Sequence, residues 1–291
     1  MSTWDLTGGV AVVTGAGSGI GRELAKLLAR EKMSLAIADV NADTLAETRS
    51  QIGSPSAPVS THVLNVADPQ QVEQFAADVL AQHKRVSLLV NNAGVAMHGT
   101  FEELSIADLE WLMGINFWGM VYGVRNFLPA LKREPRSRIV NLSSIFGIIS
   151  PAGQTAYCAS KFAVRGFTEA LMHELEMTGN VGVTCVHPGG INTPISRNSR
   201  LGAHADPAVA SASVSLFEKR LARTSPATAA ARILEGIKRG EPRVLIGKDA
   251  IQLDRMQRLF PVRYWAIMMK NLKKVAAHGG FQPAARKSSA T

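Results

Sequence analysis

The chain has 291 residues, 46% hydrophobic and 19% charged, which supplies one sizeable core and excludes a disordered chain. Two cysteines exclude a disulfide framework, the seven histidines show no metal-ligand spacing, and neither an eighteen-residue apolar run nor a basic-then-apolar start is present, so a metal-free cytoplasmic protein is expected. The net charge of +9 is concentrated late: residues 1–195 carry 14 Lys+Arg against 17 Asp+Glu and residues 196–291 carry 18 against 6, which is no argument for nucleic-acid binding.

In chain order, the apolar run Val10 to Val13 leads directly into TGAGSGIG at Thr14 to Gly21, and an amphipathic helix follows over Arg22 to Arg30. A strand, a glycine-rich turn and a helix N-terminus together make a cradle for a pyrophosphate. Gly15 permits the sharp turn, Gly19 leaves room for the anion and Gly21 lets the helix approach the sheet, with Ser18 and Ile20 on the same turn. The next apolar run, Leu35 to Ala38, ends at Asp39, where a carboxylate can accept hydrogen bonds from ribose hydroxyls; its alternative use is to cap the helix that starts near Ala42.

A Gly/Ser/Pro-rich loop at residues 53–58 precedes a third strand, Val59 to Val66, and a helix over Pro69 to Gln82. Val86 to Val90 is a fourth strand, running into the sequence NNAG at Asn91 to Gly94. Apolar residues at steps of three and four predict a long helix over Asp108 to Leu131, and Asn116 on its apolar face needs a partner. The run Arg138 to Leu142 is a fifth strand with Ser144 just beyond its end. A helix over Ala156 to Glu176 carries Tyr157 and Lys161, and small residues such as Ala163 and Gly166 suit it to packing between subunits. Val181 to Val186 is a sixth strand followed by PGGINT at Pro188 to Thr193. Residues 194–224 lack a period and suit a mobile segment covering a substrate, before a helix from Pro226 to Arg239 and a last strand, Arg243 to Ile246. Strands alternating with helices predict an α/β fold, a single-domain, doubly wound parallel sheet of seven strands.

Tyr157 and Lys161 are four residues apart, so their side chains lie one turn apart on one helix face. A tyrosine acting as a base near neutrality needs its pKa lowered by about three units, or roughly 4 kcal/mol, and a cation about 4 Å away supplies an energy of that order. The expectation is therefore a phenol activated by an ammonium.

Taken together, TGAGSGIG, NNAG, Asn116, Ser144 with Tyr-x-x-x-Lys, and PGGINT, in this order, resemble the short-chain dehydrogenase/reductase family over about residues 5–247. The resemblance implies the Rossmann-type strand order 3-2-1-4-5-6-7 and a catalytic set of Asn116, Ser144, Tyr157 and Lys161. It also implies that Asn116 bends its helix and holds a water linking Lys161 to solvent; the other reading is a buried asparagine satisfied by backbone. Around the cofactor it places Gly15, Ser18, Gly19, Ile20 and Gly21 at the pyrophosphate, Asp39 at the ribose, and Asn65 with Val66 at the adenine, although the family usually has an aspartate where Asn65 stands. Asn92, Ala93 and Gly94 would lie along the cofactor, Tyr157 and Lys161 would reach it, and Pro188, Gly189, Ile191 and Thr193 would meet the nicotinamide. Asp39 opposes a 2′-phosphate and neither Ser18 nor Val40 is basic, so NAD is expected rather than NADP.

The implied activity is NAD-dependent interconversion of a secondary alcohol and a ketone by a homodimer or homotetramer. Ser144, Ile145, Phe146, Ile148, Gln154 and Met97 are the expected substrate wall, and its apolar character favours a lipophilic alcohol or ketone. A non-catalytic NAD-sensing module would keep the glycine turn without needing Tyr157 and Lys161. Residues 1–247 form the expected catalytic domain, and residues 248–291 a basic extension, helical and then disordered. Within it, a helix over Ala250 to Phe260 precedes a pattern placing Trp265, Met268, Met269, Leu272, Val275 and Ala276 on one face. Such a face packs on the protein's own domain or a second subunit, or lies on an anionic membrane.

Overall fold

The apolar runs become strands of one parallel sheet in the computed structural model, which describes residues 3–177, 179–206 and 223–270. The strands are β1 (Val10–Thr14), β2 (Ser34–Asp39), β3 (Val59–Val63), β4 (Leu88–Asn91), β5 (Ser137–Leu142), β6 (Val181–Pro188) and β7 (Arg243–Ile246). They lie in the order 3-2-1-4-5-6-7, and each neighbouring pair is parallel. The connecting helices are α1 (Gly19–Arg30), α2 (Ala42–Ile52), α3 (Pro69–His83), α4 (Ile106–Met113), α5 (Gly119–Lys132), α6 (Thr155–Glu176) and α7 (Pro226–Arg239), with α8 (Lys248–Leu259) after the last strand.

β1 and β5 are buried at every position because helices cover both faces of the sheet, which is why these runs show no polar alternation. On one face Leu24 and Leu28 of α1 and Ile233 and Ile237 of α7 pack with Val13, Leu35 and Val186. On the other, Phe75, Val79, Val124 and Phe127 pack with Val12, Leu89 and Ile139, with the Phe75 and Phe127 rings edge to face at 5.7 Å. Burying each such side chain is worth about 1.5–3 kcal/mol.

Three local outcomes refine the sequence expectations or decide between them. The long helix is broken by a π turn at Gly114–Trp118, which separates α4 from α5 and contains the buried Asn116. The third strand stops at Val63, because Asn65 turns the chain by accepting from the Ala67 N–H at 3.1 Å and Asp68 then caps α3. The cap of α2 is Asn41, which accepts from the Thr44 N–H at 2.9 Å, so Asp39 is not the cap.

Beyond β7 the described chain does not stand apart from the body. Ala250 is fully buried, and Leu253, Tyr264 and Met268 pack on Ile145, Ile148 and Ile149. The Tyr264 hydroxyl accepts the Ser150 N–H at 3.0 Å. The amphipathic face anticipated beyond Pro261 therefore begins as a packing face; its members Leu272, Val275 and Ala276 lie outside the described residues. Among the described residues no helix is long and apolar enough to cross a membrane.

The strand order reverses between β1 and β4, and a crevice opens there at the C-terminal ends of the strands.

Candidate active site

That crevice is a cleft of about 570 Å³ whose lining runs from Asp39 at one end to Tyr157 at the other. Gly15, Ser18, Gly19 and Ile20 form one lip. Ser18 is the N-cap of α1 but its side chain bonds no backbone N–H, so the first turn of α1 keeps its donors directed at the cleft, as an anion site requires. Gly15 has φ +64° and touches the Asn92–Ala93 backbone so closely that a Cβ would lie 2.7 Å from Ala93 Cα. Gly21 is buried outside the lining, and a Cβ there would collide with the Gly15 carbonyl; its contribution is close packing of α1 on the turn.

Asp39 accepts the Gly17 N–H at 2.8 Å through one carboxylate oxygen and the Asn41 N–H at 3.0 Å through the other, which fixes the carboxylate at the cleft. Among the described residues lining the cleft Lys161 is the one Lys or Arg, and nearby Arg22 is engaged by the Gly17 and Thr44 carbonyls, Thr48 and Glu47. Gly17 and Arg22 were not singled out in the sequence, because only the fold brings them against Asp39 and α2.

Asn92, Ala93 and Gly94 line the cleft, and Asn92 also braces the glycine turn by donating to the Thr14 and Gly15 carbonyls at 2.9 Å. Asn65 and Val66 do not line it. The Asn65 amide oxygen is used in its own turn, and Val66 packs against Gly119. Pro188, Gly189, Ile191 and Thr193 do line the cleft. Asp249 of α8 joins them, accepting the Gly190 N–H at 2.7 Å, a residue with no recognisable signal in the sequence.

Ser144, Tyr157 and Lys161 converge at the other end. Ser144 caps a short helical turn, Ile145–Gly147, by accepting the Phe146 N–H at 3.1 Å, which leaves its own hydroxyl hydrogen for Tyr157. Phe146 meets the Tyr157 ring edge to face at 6.1 Å. The Lys161 ammonium donates to the Leu142 carbonyl at 3.1 Å and lies 5.6 Å from the centre of the Tyr157 ring. Asn116 accepts the Val95 N–H at 2.8 Å and donates to the Val95 carbonyl at 3.0 Å and to Ser160 at 3.1 Å. It lies in the π turn that interrupts its helix, and its oxygen and the Lys161 Nζ both lie within 3.4 Å of where a Cβ on Gly94 would be.

The electrostatics correct one expectation. Burial pushes Tyr157 up to about 12, and the hydrogen bond with Ser144 offsets only part of this; burial likewise pulls Lys161 down to about 8. In the chain alone the ammonium does not overcome the cost of an anionic phenolate in a desolvated site, so the anticipated lowering of Tyr157 is absent.

The substrate wall also differs in part. Phe146, Gln154, Ile145 and Ser144 line the cleft, but Met97 is buried against Leu112 and Ala156, and Ile148 packs under the turn with Ala250. Their places are taken by His98 and Leu253. Of the anticipated covering segment, Arg200–Leu201 pairs in parallel with Met97–His98 beside the cleft, while residues 207–222 lie outside the described residues.

The profile describing short chain dehydrogenases matches residues 9–203. An oxidoreductase of Mycobacterium tuberculosis named SadH is 41% identical over 275 residues, covering 94% of this chain and 98% of that protein. Estradiol 17-beta-dehydrogenase 11 of Pongo abelii is 30% identical over 92% of this chain and 84% of its own length. Among solved structures, a short chain dehydrogenase/reductase from Burkholderia phymatum in complex with NAD superposes with a TM-score of 0.80 at 31% identity, covering 88% of this chain and 95% of that one.

Proposed function

This chain belongs to the short-chain dehydrogenase family, and from that premise we propose that it is an NAD-dependent oxidoreductase that interconverts a lipophilic secondary alcohol and its ketone. The convergence of Ser144, Tyr157 and Lys161 at one end of a cleft with Asp39 at the other carries the reading. The open N-terminus of α1, the Gly15 turn and the fixed Asp39 carboxylate suit a dinucleotide with a free ribose. When bound, the nicotinamide supplies or accepts the hydride and, in its oxidised form, adds positive charge to the site. Ser144 holds the substrate oxygen by its hydroxyl. Tyr157 gives its phenolic proton to the forming alkoxide in reduction and takes the alcohol proton in oxidation, with Lys161 one helical turn away to balance the phenolate. Asn116 acts on this group indirectly, by fixing Val95 and the π turn beside Lys161.

A non-catalytic sensor would have no use for Tyr157 and Lys161, which is why the enzymatic reading is preferred. The test is a panel of secondary alcohols and ketones with NAD and NADP, read by reduced-cofactor absorbance. The double variant Asp39→Ala with Val40→Arg should shift the ratio of specificity constants toward NADP by about tenfold or more, since it removes a repulsive carboxylate and adds a phosphate partner. An unmoved ratio would assign Asp39 to bracing the Gly17 turn alone.

The open face of α6, where Phe162 is exposed beside Gly166, supports a homodimer or homotetramer, and a cytoplasmic location accords with the fold. A second reading, peripheral contact with an anionic membrane, is favoured by one observation. Leu259, Phe260 and Val262 are 72%, 48% and 89% exposed, in a stretch that also carries Arg255, Arg258 and Arg263. Leu259→Ser with Val262→Ser should abolish low-salt sedimentation with phosphatidylserine vesicles while leaving turnover intact. If the wild-type protein stays in the supernatant, this reading is wrong.

A further inference from the structure

Ser144, Tyr157 and Lys161 account for the reacting oxygen but leave a polar pair on the substrate wall without a task. His98 Nδ1 lies 3.1 Å from Gln154 Nε2, and both side chains are partly buried and line the cleft. Gln154 is the residue before α6 and stands three positions before Tyr157, which places it about one helical turn from the phenol on the same side of the helix. The lining they share includes the apolar Ile145, Phe146, Pro151 and Leu253 and the acidic Glu103 and Asp206.

Each member of the pair satisfies only part of the other. With the amide donating to Nδ1, the imidazole carries its proton on Nε2, and the amide keeps its carbonyl oxygen and a second N–H. Such groups in a partly buried wall require a partner from solvent or ligand. Burial lowers the His98 pKa, so near neutrality the ring is an uncharged dipole. A neutral pair that can donate and accept recognises a hydroxyl or carbonyl oxygen, and it offers no charge to a carboxylate or phosphate.

The backbone holds His98 on this wall. The Gly202 N–H donates to the His98 carbonyl at 2.9 Å and the Arg200 N–H to the Ala96 carbonyl at 3.1 Å. Arg200 is itself fixed, 3.3 Å from Asp108 and over the Trp111 ring at 5.1 Å. The segment that follows the Pro188–Thr193 turn is thereby tied to the strand that presents the imidazole.

We propose that His98 and Gln154 form a second oxygen-recognition site in the substrate cleft. The preferred substrate then bears a neutral hydroxyl or carbonyl on a carbon one or two bonds from the carbinol carbon, with its apolar remainder against Ile145, Phe146 and Leu253. The proposal deepens the oxidoreductase reading and rests on it.

Its test uses the full-length enzyme with NAD and four probes: 1-phenylethanol, 1-phenyl-1,2-ethanediol, 1-phenyl-1,3-propanediol and mandelate. The wild-type enzyme should favour one of the two diols over 1-phenylethanol by about tenfold or more in kcat/KM, and should use mandelate poorly. His98→Leu and Gln154→Leu should each bring that preference to within about twofold. Both should leave the NADH dissociation constant read by fluorescence within about threefold of wild type, and should lower kcat/KM for 1-phenylethanol by less than they lower it for the favoured diol. His98→Gln, which keeps a neutral polar group, should restore part of the preference. A wild-type enzyme that uses 1-phenylethanol as well as both diols overturns the proposal and leaves the oxidoreductase reading standing, as do leucine variants that lose all alcohols equally. Absence of turnover with every alcohol and ketone tried, with NAD and NADP, overturns both.

Discussion

Replacing Tyr157 with phenylalanine is expected to lower turnover by about 10²–10⁴-fold while NADH binding, followed by fluorescence, changes by no more than about twofold. The phenol moves a proton in the reaction but shares little of the cofactor's contact area, which is spread from Asp39 to Thr193 along the cleft. The direction of the reaction should also separate by pH. Burial holds Tyr157 protonated up to about 12, so its own proton does not limit reduction between about pH 6 and 9, and reduction should be flat up to about pH 7 and change only as Lys161, pulled down to about 8, loses its charge. Oxidation needs the phenolate and should rise with pH until that loss of the Lys161 charge opposes it. Rates in both directions between about pH 6 and 9, for the wild type and Tyr157→Phe, check the point; a variant retaining more than about a tenth of the wild-type rate would remove Tyr157 from the proton transfer.

Ending the chain at Gly247 is expected to cost both stability and cofactor affinity. The truncation removes the Asp249 carboxylate that holds the Gly190 N–H, and it uncovers the turn that carries Ser144 and Phe146 by removing Ala250, Leu253 and Tyr264. Two of these side chains are only partly buried, so the loss of packing and hydrogen bonds amounts to about 3–6 kcal/mol. The variant should melt well below the full-length protein, bind NADH at least about tenfold more weakly and show no measurable turnover. Asp249→Ala, which keeps the packing of α8, should reproduce part of the loss of affinity with a much smaller change in melting temperature. If the truncated protein keeps its melting temperature and affinity, the segment after β7 is an appendage to the catalytic body.

Where the information was local, the sequence sufficed. The β-branched runs that became β1 and β7, the glycine turn before α1, the Ser225–Pro226 start of α7 and the one-turn spacing of Tyr157 and Lys161 depend on neighbours within a few residues, so period and turn chemistry specify them. The strand order came from the resemblance of the motifs to the short-chain family, since local pattern does not choose among the arrangements that parallel strands joined by helices allow. The tertiary structure alone decided which side chains face the cleft. Met97 and His98 alternate along one short strand, and pairing with Arg200–Leu201 turns the methionine inward and the histidine to the cleft. Asn116 is bonded to Val95 across 21 positions of sequence. Asp249 reaches Gly190 across 59 positions of sequence, a contact with no local period to announce it. The ionisation of Tyr157 belongs here as well. Spacing puts a cation beside the phenol, but the balance between that cation and desolvation depends on how completely the folded chain excludes water from both, and in this chain desolvation is the larger effect.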